Sequence, residues 1–261
     1  MKISLGFSPC PNDTFMFAAM VNHWIPTDGL DFVVHMEDIE TLNEWADEEK
    51  LEVTKMSFHK SLYVPDKYSL LQSGAALGNK CGPMIIAKQP LTREELLEGP
   101  VALPGQWTTA HLLFKHFYPG ARNKEFHRFN ELEDLVLEEK VKAAVIIHEN
   151  RFTYASKGLV KVEDLGDSWE NETGLPIPLG GIFASERLDA ILIPKLEELI
   201  RQSIFFARHN TPEVMNYVRE YSQEMEDWVM RSHIDLYVND FSADLGSIGQ
   251  QAITFLKNNL G

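Results

Sequence analysis

The sequence predicts an α/β protein of two lobes with a ligand cleft between them, and three observations carry that expectation. Strand-like and helix-like segments alternate from residue 2 to about residue 158, as layered α/β folds require. Two stretches marked by proline and glycine, near residues 86–92 and 174–184, read as passages of the chain from one lobe to the other. From about Leu188 onward the pattern is almost wholly helical. The division implied is a larger, discontinuous lobe of residues 1–88 and 185–261 and a smaller one of residues 89–184. A chain of 261 residues with 44% apolar and 10% aromatic residues can fill two such cores,.

"KISLGFS" reads as a first strand, and "DTFMFAAMVNHW" as a helix apolar nearly all round, hence buried,. "LDFVVHME" is a strand, "IETLNEWADE" a helix and "LEVTKMS" a third strand, so the opening is a βαβαβ unit with a parallel sheet and right-handed crossovers,. "GPMIIAK" leads into a second series: strand "VALPG", helix "TTAHLLFKHFY", strand "KEFHRF", helix "ELEDLVLEE", strand "KAAVIIH" and helix "NRFTYASKG". "TGLPIPLGG" reads as turn-rich passage, and the C-terminal helices should pack back on the first lobe.

Composition removes several function classes. A formal charge of −15 and the lack of a basic stripe argue against a nucleic-acid surface,. The longest apolar runs, "FMFAAMV" and "AAVIIH", are far shorter than the ~20 residues that span a bilayer,. No basic segment leads into an apolar core with a small-residue cleavage site near Lys2, so a secretion signal is not expected and the cytoplasm is. Cys10 and Cys81 are too few for a disulfide framework and stand at no metal-ligand spacing, so both are read as reduced thiols and no metal is expected,. Glycine-rich dinucleotide or phosphate loops, a G-x-S-x-G elbow and a zincin His/Glu pair are all lacking from the sequence,.

Candidate site residues gather at strand ends, where loops of a parallel sheet face the crevice. In "GFSPCPNDTFMF", Pro9 and Pro11 stiffen a loop, and Asn12, Asp13 or Thr14 can cap the following helix,. The alternative is a capped buried helix with no ligand. Lys55, Met56 and Ser57 end the third strand, while Thr108 and Thr109 begin a helix whose hydroxyls and free N–H groups suit a carboxylate or phosphate,. Either set can equally be an N-cap alone. "AAVIIHENRFTY" delivers His148 from a fully apolar strand into the expected cleft, where a histidine can move protons without a cofactor,. Glu149 should point the other way if that strand continues, and a satisfied structural histidine is the bland alternative. For Cys10, a small thiol packed beneath the turn is the reading.

"SPCPNDTFMF", "GQWTTAHLL", "IIHENRFTY", "GLPIPLGG" and "YVNDFSADLGSIG" together resemble the 1,4-dihydroxy-6-naphthoate synthases of the futalosine route to menaquinone, from the first strand to the C-terminal helices. The resemblance implies a fold like the type II periplasmic binding proteins, in a cytoplasmic lyase. It implies a small-molecule carboxylate substrate, cyclic dehypoxanthinylfutalosine, whose sugar-derived part leaves as the naphthoate ring aromatises, with no metal or organic cofactor. His148 would be the proton acceptor, with Lys55, Met56, Ser57, Thr108 and Thr109 lining the substrate site. The "KMSFHK" segment matches less closely than the others. Two alternatives stand beside this reading: a non-catalytic solute-binding protein of the same fold, and an enzyme like the chorismate dehydratase of the same pathway.

Overall fold

The computed structural model describes residues 1–222 and 226–261. Strand β1 (Lys2–Phe7) runs into helix α1 (Pro11–Val21), then β2 (Asp31–Met36), α2 (Ile39–Trp45) and β3 (Val53–Ser57). Both β2 and β3 pair with β1 in parallel, so the opening is the expected βαβαβ unit. After the short helix α3 (Phe58–Ser61) come β4 (Tyr68–Leu70), β5 (Ala76–Gly78) and β6 (Met84–Ala87). The second series follows: α4 (Arg93–Glu98), β7 (Val101–Leu103), α5 (Thr109–Phe117), β8 (Lys124–Phe126), α6 (Leu132–Leu137), β9 (Ala143–Ile146), α7 (Asn150–Thr153), β10 (Val160–Asp164) and α8 (Leu165–Thr173). The long strand β11 (Ile177–Ser185) precedes five helices: α9 (Ile193–His209), α10 (Thr211–Tyr221), α11 (Asp227–Tyr237), α12 (Asp240–Ala243) and α13 (Gly246–Leu260).

Pairing sorts the strands into two sheets. The first has the order β2-β1-β3-β11-β4 with β5 also on β11, and the second β10-β6-β9-β7-β8. Helix α1, buried along nearly its whole length as its apolar sequence demands, lies between the first sheet and α9, α10 and α11. Ile3, Leu5, Phe7, Met16, Phe17, Ile200 and Met215 share that core, and Phe7 stacks on Phe17 at 4.7 Å.

The passages between the sheets differ from the sequence reading. Strand β6 pairs antiparallel with β9 and β10, so residues 84–87 belong to the second sheet and the chain crosses before them. "GLPIPLGG" is mostly strand rather than turn, because all of β11 pairs with β3, β4 and β5. Proline and glycine look like breakers here, yet Pro178 sits at the register irregularity against β5, where a missing N–H is tolerated. Gly180 lets the strand approach β3 closely, since a Cβ there would stand 3.0 Å from the Met56 carbonyl oxygen. The strands β4 and β5 have three residues each, too few to establish a period, while β10, whose VKVED does alternate, is a strand that the sequence reading omits,.

Candidate active site

The end of β3 and the start of α1 meet on one side of the cleft. Lys55 Nζ lies 2.6 Å from both carboxylate oxygens of Asp13, a pair with almost no solvent exposure on either side chain. Asp13 also accepts from the Ser8 amide at 3.0 Å and the Ser8 hydroxyl at 2.6 Å. It is therefore tied to the residues before the helix. Cys10, not Asn12, is the N-cap, and it makes no side-chain cap bond. Asn12 donates to Asp13, while its Oδ1 is buried with no partner among the described residues. Ser57 is held twice by Asn43: its amide donates to Oδ1 at 2.9 Å, and its hydroxyl oxygen accepts from Nδ2 at 3.0 Å. That leaves the Ser57 O–H proton for a ligand.

The start of α5 forms the facing wall. Thr108 is the N-cap, accepting from the His111 amide and donating its own proton to the Gly105 carbonyl at 3.0 Å. Thr109 donates to the Leu179 carbonyl of β11 at 2.6 Å. Both hydroxyl protons are spent inside the protein, so the capping alternative describes these side chains. The amides of Thr109 and Ala110 donate to no group among the described residues, and they point out of a helix N-terminus as anion donors do. The turn before them is fixed by Gly105, whose φ of +148 and 2.5 Å approach to the Glu40 carboxylate by a hypothetical Cβ leave room for no side chain. Glu40 in turn accepts from the Trp107 amide at 2.9 Å.

Beyond β9 the chain does not continue as a strand. His148 takes a left-handed φ of 56 and the chain turns into α7, a conformation that costs energy for a non-glycine residue and gathers at functional sites. That turn overturns the expectation for Glu149: Cys10 Sγ, a His148 ring nitrogen and a Glu149 carboxylate oxygen come within 4.8 Å of one another. Burial pushes the Cys10 thiol well up, which works against thiolate ligation of a metal,. Burial first, and the Lys55 charge second, push the His148 imidazole down to about 3. At neutral pH it is an unprotonated base. Its ring packs edge-on against Phe129 at 5.0 Å and lies 6.1 Å from the ring of His233.

These walls bound a cleft of about 580 Å³ including its open mouth. Asn12, Lys55, Ser57, Thr108, Thr109 and His148 all line it. Asp13 and Met56 do not: Asp13 is fully buried behind Lys55, and Met56 packs in the core. A period-two strand explains Met56, since Lys55 and Ser57 share one face and Met56 takes the other. Tyr237, Cys81 and Leu179 line the cavity as well. They come from a helix, a crossover and a strand in which no local sequence pattern points to a site, and only tertiary packing brings them in.

Residues 3–259 match the family described as menaquinone biosynthesis. The chain is 43% identical over 97% of its length to a 1,4-dihydroxy-6-naphthoate synthase of Thermus thermophilus, covering 92% of that protein. It is 40% identical over 96% of its length to the synthase of Streptomyces coelicolor, covering 90%. A crystal structure of an Archaeoglobus fulgidus protein superposes with a TM-score of 0.93 at 33% identity, over 98% of this chain and 96% of that one. The alkanesulfonate-binding protein SsuA of Xanthomonas axonopodis, solved with MOPS bound, superposes at 0.71 with 10% identity, over 90% of this chain and 84% of that one, and shows the periplasmic-binding-protein fold. Near full-length agreement with the family and with two synthases makes this chain a member of the menaquinone-biosynthesis family that contains the 1,4-dihydroxy-6-naphthoate synthases.

Proposed function

We propose that the chain is a cofactor-independent carbon–carbon lyase that converts cyclic dehypoxanthinylfutalosine to 1,4-dihydroxy-6-naphthoate and releases the sugar-derived fragment. The observation that carries the catalytic part is His148, neutral at physiological pH and lining a cavity whose other wall offers free anion donors. The substrate carboxylate is received by the amides of Thr109 and Ala110 and by the Ser57 hydroxyl, with the Lys55 charge close behind. Charge-assisted bonds of this kind are short and directional. They fix the ring so that the bond to be broken lies toward His148.

The imidazole accepts a proton from the sugar-derived part as the carbon–carbon bond next to a carbonyl breaks. The electrons of that bond move toward the ring, and aromatisation supplies much of the driving force. Burial first, and the Lys55 charge after it, raise the cost of a positive imidazole, so protonated His148 is a strong acid and returns its proton readily,. Asn12 Oδ1, buried and without a partner among the described residues, would accept from a substrate hydroxyl. This chemistry suits a cytoplasmic protein with a small-molecule partner; among the described residues no helix is long and apolar enough to cross a membrane.

Incubation with the cyclic futalosine derivative and detection of the naphthoate tests the reading. Turnover by the wild type and its collapse in His148→Asn are expected. Tight binding without product would return the chain to the solute-binding alternative, and dehydration of chorismate would favour the other enzyme.

A further inference from the structure

His233 on α11 has no exposure at all, yet both of its ring nitrogens lack a partner among the described residues. Buried polar atoms are nearly always bonded to protein or to an ordered water, so a wholly unbonded imidazole in a core demands an account. Its surroundings supply one. The ring packs on Tyr237 at 4.6 Å and faces His148 at 6.1 Å, tilted by 32°. Centres that far apart allow a nitrogen of each ring to reach one shared water through two hydrogen bonds. His233 does not line the cavity, whereas His148 does.

We infer that His233 is a positioning residue for His148: one buried water bonded to both imidazoles fixes which nitrogen of His148 stays bare toward the cleft. In a neutral imidazole one nitrogen donates and the other accepts, and the bond made by the far nitrogen selects the tautomer. His148 has no ring hydrogen bond to a protein group among the described residues; one of its nitrogens stands within 4.8 Å of Cys10 Sγ and a Glu149 carboxylate oxygen, and the water on His233 would serve the other. A second histidine suits the task because its own two nitrogens can serve as donor or acceptor to the water. The titratable groups that act on His233 are His148 and Lys55. Helix α1, packed against α11, adds Asp13, which Lys55 already neutralises.

This inference rests on His148 being the proton acceptor, and its test reads the imidazole directly. The variants are His233→Phe, which fills the space with no nitrogen, His233→Leu as a smaller apolar replacement, and His233→Asn as the polar one. Replacing a buried imidazole that has no protein partner among the described residues by an apolar side chain should cost little stability,, so the apolar variants are expected to fold. Imidazole ¹⁵N shifts at neutral pH without substrate, with His148 assigned by its absence in His148→Asn, should show one tautomer in the wild type and a mixture in the apolar variants. Turnover should fall about tenfold or more in kcat, with KM within twofold, and His233→Asn should recover part of it. An unchanged His148 tautomer in a folded apolar variant overturns the assignment whatever kcat does. A changed tautomer with kcat within twofold overturns it too. Because the shifts are read without substrate, a wild type that turns over no futalosine derivative would sink the proposed activity and leave this arm to be judged separately.

Discussion

Lys55 and Ser57 at the end of β3 are tied down by Asp13 and Asn43, whereas His148 beyond β9 and His233 behind it have no ring hydrogen bond to protein among the described residues. The two regions face one cavity from different sheets. The first wall has its charge compensated and its side chains fixed before any ligand arrives, which removes reorganisation from binding. The second keeps nitrogens bare and pays for it in a left-handed residue and one buried imidazole without a partner among the described residues. Groups that must change protonation during a reaction cannot be saturated beforehand, whereas the recognition side fixes its charged side chain and leaves only the Ser57 proton and the amides at the start of α5 for a ligand.

The comparison breaks hardest at His148. His148→Asn keeps a planar polar group but cannot take up a proton at useful rates, so kcat should fall by about 10² to 10⁴-fold while affinity for the product naphthoate stays within a few fold. Stopped-flow turnover and equilibrium titration together check this. Affinity lost in parallel with kcat would show that the second wall also recognises the ligand.

On the first wall the corresponding substitution should act on the fold. Lys55→Met leaves the Asp13 carboxylate buried without its counter-charge, which costs about 3 to 5 kcal/mol of stability. Adding Asp13→Asn removes the stranded charge and should restore much of that loss. Denaturant melts of the two variants give the answer, and a single variant less than about 1 kcal/mol below wild type would mean that the wall is not locked as described.

The sequence made the second wall more legible than the first. An apolar run ending in His148 is a local pattern, and the parallel βαβαβ opening follows from alternation alone. The Lys55–Asp13 pair joins residues 42 positions apart, and no local pattern announces it. Lys55 and Ser57 were readable as a strand end, but Met56 between them belongs to the other face. Glu149 was misplaced because a strand extrapolated past Ile146 ignores the turn at His148. Strand β11 hid behind Pro178 and two glycines, residues that propensity assigns to turns and tertiary pairing overrules,.

Buried histidines on both sides of the cleft set the pH dependence of stability. His148 is pushed down to about 3 and His59, by burial first and then the charges of His111 and other neighbours, to about 4; His111 and His233 are lowered too. A histidine whose folded value lies below its unfolded ~6.5 binds its proton better in the unfolded chain. Stability is therefore fully present above about pH 6.5 and drains away as the pH falls toward 4. His59 alone accounts for up to about 3 kcal/mol across that window. Thermal melts from pH 7 to pH 4 should show a steady fall, shallower in His59→Gln. A flat profile would remove the argument that these imidazoles are held neutral.

The smallest effect separates side-chain from backbone recognition at the start of α5. If the Thr108 and Thr109 hydroxyls held the carboxylate, replacing both by valine would weaken ligand binding by about 1 to 3 kcal/mol. Their protons instead go to the carbonyls of Gly105 and Leu179, while the amides of Thr109 and Ala110 survive the substitution. The double variant should thus bind the naphthoate within about threefold of wild type and lose roughly 1 to 2 kcal/mol of stability, from the missing cap and the carbonyls left without a donor. Thr109→Ser, which keeps the bond to Leu179, should restore more of that stability than Thr109→Ala. Calorimetric titration beside a melt distinguishes the outcomes: affinity lost with stability intact would return the carboxylate to the hydroxyls and make this wall a side-chain site like Ser57 across the cleft.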